Sequence, residues 1–215
     1  MLRHVEPEAS RVVMVPSGIT FLPLHDVIQF VMGWQDYHLH EFSFEGMKET
    51  FTNSDEQVDE YRYYRDNPVA EEPEHQRWVD IGLQHPCRLT SKVKIDKYLQ
   101  KYGRALYTYD FGDGWEHDVI VEAVIEDFTE PHPVCLEWKG LCPPEDVGGP
   151  PGYEDFLSAW KRPSNLERRE LVSWGKGQGY TGKAIDLDEL NFLLSLGLVL
   201  KRPRRPKVTE VGEEG

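Results

Sequence analysis

A stretch of alternating aromatic and acidic residues around two glycines, YTYDFGDGWEHDVIVE at Tyr107–Glu122, constrains the fold more than any other part of the chain. Its Gly-Asp-Gly sequence favours the positive backbone torsions of a hairpin turn. A two-residue turn at Asp113-Gly114 would set aromatic residues opposite carboxylates on both faces. A three-residue loop at Gly112–Gly114 gives one apolar face instead, and we expect this register. Its facing pairs are Phe111 with Trp115, Tyr109 with His117 and Tyr107 with Val119.

The opposite face of the predicted hairpin carries carboxylates. Asp110 lies across from Glu116, and Asp118 lies across from Thr108 and diagonal to Glu116. Like charges directly opposite one another destabilise a sheet, so they need to be neutralised or screened. Water is the favoured answer because exposed charges are screened at little cost. A neighbouring Lys or Arg comes second, and a divalent metal comes third.

The charge balance restricts the partners that the chain can take. Acidic residues number 38 against 24 Lys and Arg, which gives a net charge of −14. Duplex nucleic acid is bound through basic surfaces, so the body of the protein is not expected to bind it. We predict one globular domain at 10–197 and a flexible charged tail at 198–215. The basic cluster Lys201–Lys207 in this tail leaves nucleic-acid contact or a nuclear address as an alternative.

Cysteine usage and hydropathy indicate the compartment. Three cysteines are too few and too odd in number for a disulfide framework. The sequence contains neither a run of about 18 apolar residues nor an apolar secretory segment near its start. We therefore expect a cytoplasmic protein that does not enter membranes.

The remaining elements predict an α+β fold, with the hairpin at the centre of an antiparallel sheet, one N-terminal helix and a C-terminal cluster of helices. Apolar residues at helical spacing predict the first helix at Thr20–Met32, ended by Gly33. The alternation in HLHEFSFEG predicts a strand that places His40, Phe42 and Phe44 on one face.

Other segments are predicted from weaker patterns. Asn53–Glu74 is expected to be a long excursion, Trp78–Ile81 a short strand and Lys94–Tyr102 a helical turn. Three helices follow the proline-rich loop: one is built on a stripe from Tyr153 to Trp160, and capping pairs Ser164–Glu167 and Asp186–Glu189 open the other two.

Histidines and cysteines offer two possible metal sites. His38 and His40 stand two residues apart on a strand, so both should face one way and suit a metal or an acid–base pair. Packing roles with backbone hydrogen bonds are the favoured interpretation. A zinc site built on His132, Cys135 and Cys142, with His117 or Cys87 as fourth ligand, is the other possibility. Free, buried thiols are favoured over it, because the spacing is not that of a compact structural zinc site.

A loop before the Tyr153 helix, PPEDVGGPPGY, has the glycines of a phosphate-binding turn. It lacks the lysine and the spacing of such loops, and Glu145 and Asp146 would repel an anion. A rigid turn is favoured, and a cation or a peptide is the better ligand for it.

Three stretches in this order, MGWQDYHLHEF, YTYDFGDGWEHDVIVE and VCLEWKGLCPPEDVGGPPGYEDFL, resemble the plasmid pRiA4b ORF-3-like family. Its members are often labelled TnpR-like passenger proteins of transposable elements. The resemblance extends from about Val13 to Leu194 and implies a compact, cytoplasmic α+β domain with no assigned reaction. The Ser and Arg constellation of a serine resolvase is not seen.

Two departures from the family pattern stand out. Members usually begin with a strand that ends in a Pro-Trp-Arg-Arg-like segment, whereas MLRHVEPEA alone precedes Ser10 here. We therefore expect that strand to be missing or the start to lie further upstream, which leaves a sheet edge uncertain. Many members also carry a third cysteine where this chain has Val147.

These features predict a binding module for an unknown protein partner, with no cofactor and with a basic or cationic ligand. The expected binding surface comprises His38, His40, Asp110, Asp113, Trp115, Glu116, His117 and Asp118. One alternative is a metal-dependent hydrolase or nuclease with zinc or another divalent ion. Its ligands and bases would be drawn from Asp110, Glu116, Asp118, His38, His40 and His117. A DNA-associated role in a mobile element, through Lys201–Lys207, is the other. The sequence indicates no catalytic residue and no oligomeric state.

Overall fold

The computed structural model of the protein describes residues 1–70 and 72–198 and has the α+β architecture expected from the sequence. The strands are β1 (Ser10–Met14), β2 (His40–Ser43), β3 (Thr50–Thr52), β4 (Cys87–Leu89), β5 (Arg104–Tyr109), β6 (Trp115–Ile120) and β7 (Val134–Lys139). The α-helices are α1 (Phe21–Met32), α2 (Asp55–Asp66), α3 (Gln76–Leu83), α4 (Asp96–Tyr102), α5 (Gly149–Lys161), α6 (Leu166–Gly177) and α7 (Leu187–Gly197).

The main sheet has the strand order β4-β3-β2-β5-β6, and β1 pairs with β7 in a separate two-stranded sheet. Neighbours in the main sheet are antiparallel except for the parallel pair β3 and β4, so the sheet is mixed at one edge rather than wholly antiparallel. The β5–β6 hairpin lies between β2 and the first residues of the chain. Leu2 bridges His117, and the Arg3 backbone N–H donates to the Glu116 carbonyl at 2.8 Å.

Residues 1–9 therefore cover the sheet edge that the sequence left uncertain. Leu2, Val5 and Ala9 are buried in the main hydrophobic core. The packed unit thus begins ahead of Ser10, the boundary expected from the sequence.

The hairpin register differs from both registers considered from the sequence. Tyr109 pairs with Trp115 and Tyr107 with His117, which is a shift of two residues from the expected pairing. The loop is correspondingly longer, and Phe111 is 53% exposed instead of belonging to the core face. A shift of two keeps every side chain on its face, so the predicted core face of Tyr107, Tyr109, Trp115 and His117 is nevertheless buried.

Helix α1 confirms the prediction for Thr20–Met32, because it follows Thr20 and ends at Gly33, which has a φ of 79°. Its Phe21 ring packs on Phe42 and Phe51 of the sheet, with ring centroids 4.9 and 5.0 Å away. The helix thereby carries its buried face across the main sheet.

Two segments are helical where other structure was predicted. The expected excursion at Asn53–Glu74 contains α2, whose first turn is capped by the Ser54 hydroxyl accepting from the Gln57 N–H at 3.1 Å. Val58 is the buried residue of α2, and most of this helix is exposed. Its sequence therefore shows little of the apolar periodicity that would have predicted a helix. The expected strand Trp78–Ile81 belongs to α3, because a four-residue apolar run does not distinguish helix from strand.

The C-terminal helices agree with the prediction. The side chain of Asp186 accepts from the backbone N–H groups of Asp188 and Glu189 and caps α7 as expected. The cap of α6 is Asn165 rather than Ser164. Helix α7 packs with α1 and β7 in a second apolar cluster.

The charged tail, with its basic cluster Lys201–Lys207, lies outside the described residues from 199 onward. In the part of the chain that the structure describes, no helix has the length and apolar character needed to cross a bilayer.

Candidate cation-binding site

Three loops converge beside the turn of the hairpin, and each belongs to one of the three long sequence stretches. They are the segment 33–38 after α1, the hairpin loop 110–114 and the loop 143–148 before α5. The Trp34 indole N–H donates to the Pro143 carbonyl at 3.0 Å. The backbone N–H of Gly148 donates to the Asp113 carboxylate at 3.1 Å. We call this convergence the loop junction.

The hairpin loop is shaped by Asp110, which has a φ of 54°. Its Oδ1 accepts from the N–H groups of Gly112 at 3.0 Å and Asp113 at 3.3 Å. Asp side chains stabilise a residue in the left-handed region of backbone torsions by accepting hydrogen bonds from backbone N–H groups a few residues further along the chain. The close approach of the third loop requires glycine at position 149, because a Cβ there would lie 2.4 Å from the Asp113 carbonyl oxygen.

His38, Asp110 and Asp146 meet at the loop junction, and their donor atoms all lie within 4.8 Å of one another. His38 Nε2 is 2.8 Å from Asp146 Oδ1 and 3.6 Å from Asp110 Oδ2. The Asp110 side chain is 9% exposed, whereas those of His38 and Asp146 are 31% and 57% exposed. The group is therefore anchored in the protein on one side and open to solvent on the other.

Tyr109 and Glu145 form a buried, hydrogen-bonded pair next to the loop junction. The Tyr109 hydroxyl donates a hydrogen bond to Glu145 and accepts one from the Tyr37 N–H at 3.1 Å. The other Glu145 oxygen accepts from the Gln35 N–H at 2.8 Å. Burial, and then the bond to Glu145, raise the pKa of Tyr109 well above its ordinary value, so the phenol remains a donor at neutral pH. This pair fixes Glu145 and with it the adjacent Asp146.

The eight residues expected to form the binding surface fall into three groups, of which the pair Glu116 and Asp118 is described below. His38, Asp110 and Asp113 lie together at the loop junction, as described above. His40, Trp115 and His117 are 0%, 0% and 3% exposed and belong to the interior, so they are not part of a surface. The alternation of residues in β2 correctly predicts that His40 lies on the core face. The same alternation gives no reason to expect this face at the surface.

Glu116 and Asp118 are engaged elsewhere. Asp118 Oδ1 accepts from Arg3 Nε at 2.9 Å and Arg104 Nε at 3.0 Å, and Glu116 pairs with Arg3 at 3.3 Å. Two arginines therefore neutralise this face, which corrects our preference for water. Burial opposes ionisation of Asp118, but hydrogen bonds from Arg3 and Arg104 outweigh it and hold the pKa of Asp118 below its ordinary value.

The cysteine set is not assembled. Among the described residues, none of His132, Cys135 and Cys142 belongs to a group of three potential ligands. Cys135 Sγ points to the Glu137 carbonyl, and Cys142 Sγ contacts Arg11 at 2.8 Å. His132 pairs with Glu130 at 3.5 Å. Burial raises the pKa of Cys142 to about 11, so its thiol is neutral at physiological pH.

Sequence reasoning did not identify Asp146 and Glu145 as site residues, nor a second group built on His25 and Asp36. The acidic pair in CPPEDVGG indicated that a cation or a peptide would suit this loop better than an anion, but neither residue was included in the expected binding surface. His25 and Gln29 are four residues apart on α1, so they share a face. That spacing was the available signal for a polar group facing the core.

Comparison with known proteins places these features in a family. The family model described as plasmid pRiA4b ORF-3-like protein matches residues 1–189. The chain is 35% identical over 190 residues to the uncharacterized protein y4hQ of Sinorhizobium fredii (strain NBRC 101917 / NGR234), covering 88% of this chain and 85% of that protein.

A solved structure is also similar, that of a protein of unknown function, MM3350, from Methanosarcina mazei Go1. It has 31% sequence identity and a TM-score of 0.63, and the match covers 87% of this chain and 92% of that chain. The matches in sequence and in structure extend over nearly the whole length of the described fold. The chain therefore belongs to the plasmid pRiA4b ORF-3-like family.

Proposed function

We propose that the protein is a binding module that takes a basic segment of a partner protein at the loop junction. The observation that carries this proposal is the meeting of His38, Asp110 and Asp146 in a group that is open to solvent on one side. A carboxylate anchored in the protein and another at the surface form an acceptor pair for a cationic side chain. The net charge of −14 favours the approach of such a partner.

Exposed aromatic groups adjoin this acceptor pair in sequence. Tyr37, which precedes His38, is 69% exposed, and Phe111, which follows Asp110, is 53% exposed. Aromatic faces attract guanidinium and ammonium groups, by about 0.5–1 kcal/mol at exposed positions. Arginine suits the site better than lysine, because its planar fork bonds carboxylates in pairs and stacks on rings.

The test is fluorescence anisotropy with a labelled peptide of alternating Arg and Gly residues, compared with the same peptide carrying Gln for Arg. We expect the Arg peptide alone to bind, with an affinity that falls as salt is added. Asp146→Asn should weaken binding about threefold to tenfold, the effect of a charge pair at an interface rim. Asp59→Asn, which removes the same charge from exposed α2, is the matched control. Equal weakening by both variants would indicate non-specific charge attraction and would contradict the proposal.

A second candidate rests on the same three residues. One imidazole and two carboxylates with room for further ligands are a donor set for Mn²⁺ or Zn²⁺, which would allow metal-dependent hydrolysis. This candidate is supported by His38 and Asp110, two of the ligands expected for such an enzyme from the sequence, whose donor atoms lie within 4.8 Å of each other and of Asp146. Phosphodiesterase activity that requires Mn²⁺ and is lost in Asp110→Asn would favour this candidate over peptide binding.

A further inference from the structure

An apolar cavity lies on the β6 side of the main sheet, apart from the loop junction. Strands β6 and β1 and helices α1 and α4 surround it, with Val119, Val13, Ile28 and Leu99 among its lining residues. Its volume is about 390 Å³, within the range of small-molecule sites in proteins. At about 30 Å³ for each non-hydrogen atom, the share of one molecule in liquid water, it has room for roughly 13 such atoms.

Several large apolar side chains that line this cavity are exposed. Val124, Ile125, Ile120 and Leu136 are 69%, 55%, 52% and 46% exposed. Val119, which belongs to the core face of β6, is only half-buried. Single apolar residues at a surface need no explanation, but several around one concavity mark a binding site. A ligand with an apolar body would cover them.

The basic groups of the cavity wall are already engaged. Arg11 is the one lysine or arginine among the described lining residues, and its guanidinium donates to three backbone carbonyls, that of Val31 at 3.1 Å among them. The Met1 amino group donates to the Asp118 carbonyl at 2.9 Å. Burial lowers the pKa of His117 to about 3, so its ring is neutral at physiological pH. These groups leave no free positive charge for an anionic ligand.

The acidic groups of the wall are free by comparison. Asp96, Glu122 and Glu126 line the cavity, and none of their carboxylates has a hydrogen bond or an ion pair with another residue in the described part of the chain. None of them belongs to a compact group of potential metal ligands there, which argues against a bound metal ion. Free carboxylates beside an apolar cavity favour a ligand that combines an apolar body with a positive charge.

We propose that this cavity binds a small cationic amphiphile, a molecule with an apolar body of about ten carbon atoms and one ammonium group that is attracted by Asp96, Glu122 and Glu126. The apolar body would cover the exposed side chains, and the ammonium group would meet the free carboxylates. This site uses none of the residues proposed to bind a basic partner, so the two proposals stand or fall separately.

The test is isothermal titration calorimetry of the full chain with decylammonium, decanol and decanoate, each below the concentration at which it aggregates. The three ligands share one chain and differ in charge. We expect one molecule of decylammonium to bind, decanol to bind more weakly and decanoate to bind least. Octylammonium should bind about tenfold more weakly than decylammonium, because each buried methylene strengthens binding about fourfold.

Two variants test the two parts of the ligand separately. Val119→Trp fills the cavity and should abolish the binding of decylammonium and of decanol, whereas Val69→Trp, at a position that is 78% exposed, should not. Glu122→Gln combined with Glu126→Gln should weaken decylammonium about threefold to tenfold and leave decanol unchanged. Asp146→Asn, at the loop junction, is the charge control and should leave the affinity for decylammonium unchanged.

Circular dichroism of each variant establishes that it is folded. The proposal is overturned if the wild-type protein binds no stoichiometric decylammonium, if decanoate binds as tightly, or if folded Val119→Trp retains full affinity. If Val119→Trp does not fold, the Glu122→Gln and Glu126→Gln variant decides the question, and wild-type affinity in that variant overturns the proposal. It is equally overturned if Asp146→Asn weakens binding as much, because the attraction would then be general.

Discussion

Asp118 of β6 and Arg104 of β5 form an ion pair across the face of the hairpin, with Arg104 Nε 3.0 Å from Asp118 Oδ1. Arg3 bonds the same carboxylate from the other side, so the N-terminal segment is fastened to the hairpin by charge as well as by backbone pairing. The Asp118 side chain is 6% exposed, and its pairs are therefore screened less than those at the surface.

Replacing Asp118 by Asn should destabilise the protein by about 1–3 kcal/mol at neutral pH, the usual contribution of hydrogen bonds to a charged group. The pKa of Asp118 is lowered in the folded state, so its contribution is present above the ordinary Asp pKa of 3.8 and is lost as the pH falls through the folded value. Urea denaturation of both proteins at about pH 7 and about pH 3 measures this. If Asp118→Asn lowered the free energy of unfolding by the same amount at both pH values, the contribution of Asp118 would not be ionic.

The same hairpin illustrates what its sequence could predict. Alternation determines which face each residue takes, and Tyr107, Tyr109, Trp115 and His117 were placed on the core face correctly. Alternation does not determine the register, since a shift of two residues preserves it. The actual register follows from Asp110, whose side chain bonds the loop backbone and lengthens the turn, and such local bonding is not visible in a hydrophobic pattern.

The candidate site was only half predictable for a related reason. His38 and Asp110 lie in motifs that the sequence singled out, but Asp146 meets His38 across 108 residues of chain. The buried Glu145 likewise meets Tyr109 across 36 residues. Long-range meetings of this kind depend on tertiary packing, so a sequence shows the groups without showing that they meet.

Tyr109→Phe should destabilise the protein by about 1–3 kcal/mol, because it leaves the buried Glu145 carboxylate without its hydroxyl donor. It also leaves the Tyr37 N–H without an acceptor. Tyr37→Phe is the matched control: its hydroxyl bonds Gln35 at the surface, and its loss should change stability by less than about 0.5 kcal/mol. Urea denaturation of the two variants checks the prediction, and similar losses in both would argue against the buried pair as the cause.

Gly149→Ala should open the loop junction. Its φ is 68°, and a Cβ would lie 2.4 Å from the Asp113 carbonyl oxygen, so backbone must shift. We expect a loss of stability of about 1–3 kcal/mol and weaker binding of the Arg peptide.

The control for that change is Gly177→Ala in α6, where nothing lies within 4 Å of the added Cβ. It should be neutral, or stabilising by up to about 1 kcal/mol through the unfolded chain. Thermal denaturation and peptide anisotropy on both variants measure the two effects. Unaltered binding by Gly149→Ala would show that contact between the two loops is not needed for recognition.

His117→Leu should reduce the dependence of stability on pH. Burial lowers the pKa of His117 to about 3, far below the ordinary value of 6.5. Between these two values His117 is protonated in the unfolded chain but not in the folded protein. The free energy of unfolding is therefore not reduced by this histidine above pH 6.5, and it falls as the pH drops from 6.5 toward 3. Each such histidine contributes a slope of about 1.4 kcal/mol per pH unit in this range.

A leucine side chain at this position would bind no proton in either state and would bury no unpaired ring nitrogen, whereas His117 buries two. The His117→Leu variant should therefore lose the slope that corresponds to about one proton and should be at least as stable as the wild-type protein near pH 5. Urea denaturation in the presence of chelator, at several values between about pH 7 and about pH 4, gives both slopes. Parallel curves for the two proteins would mean that His117 is protonated in the folded state, which its burial in the core opposes.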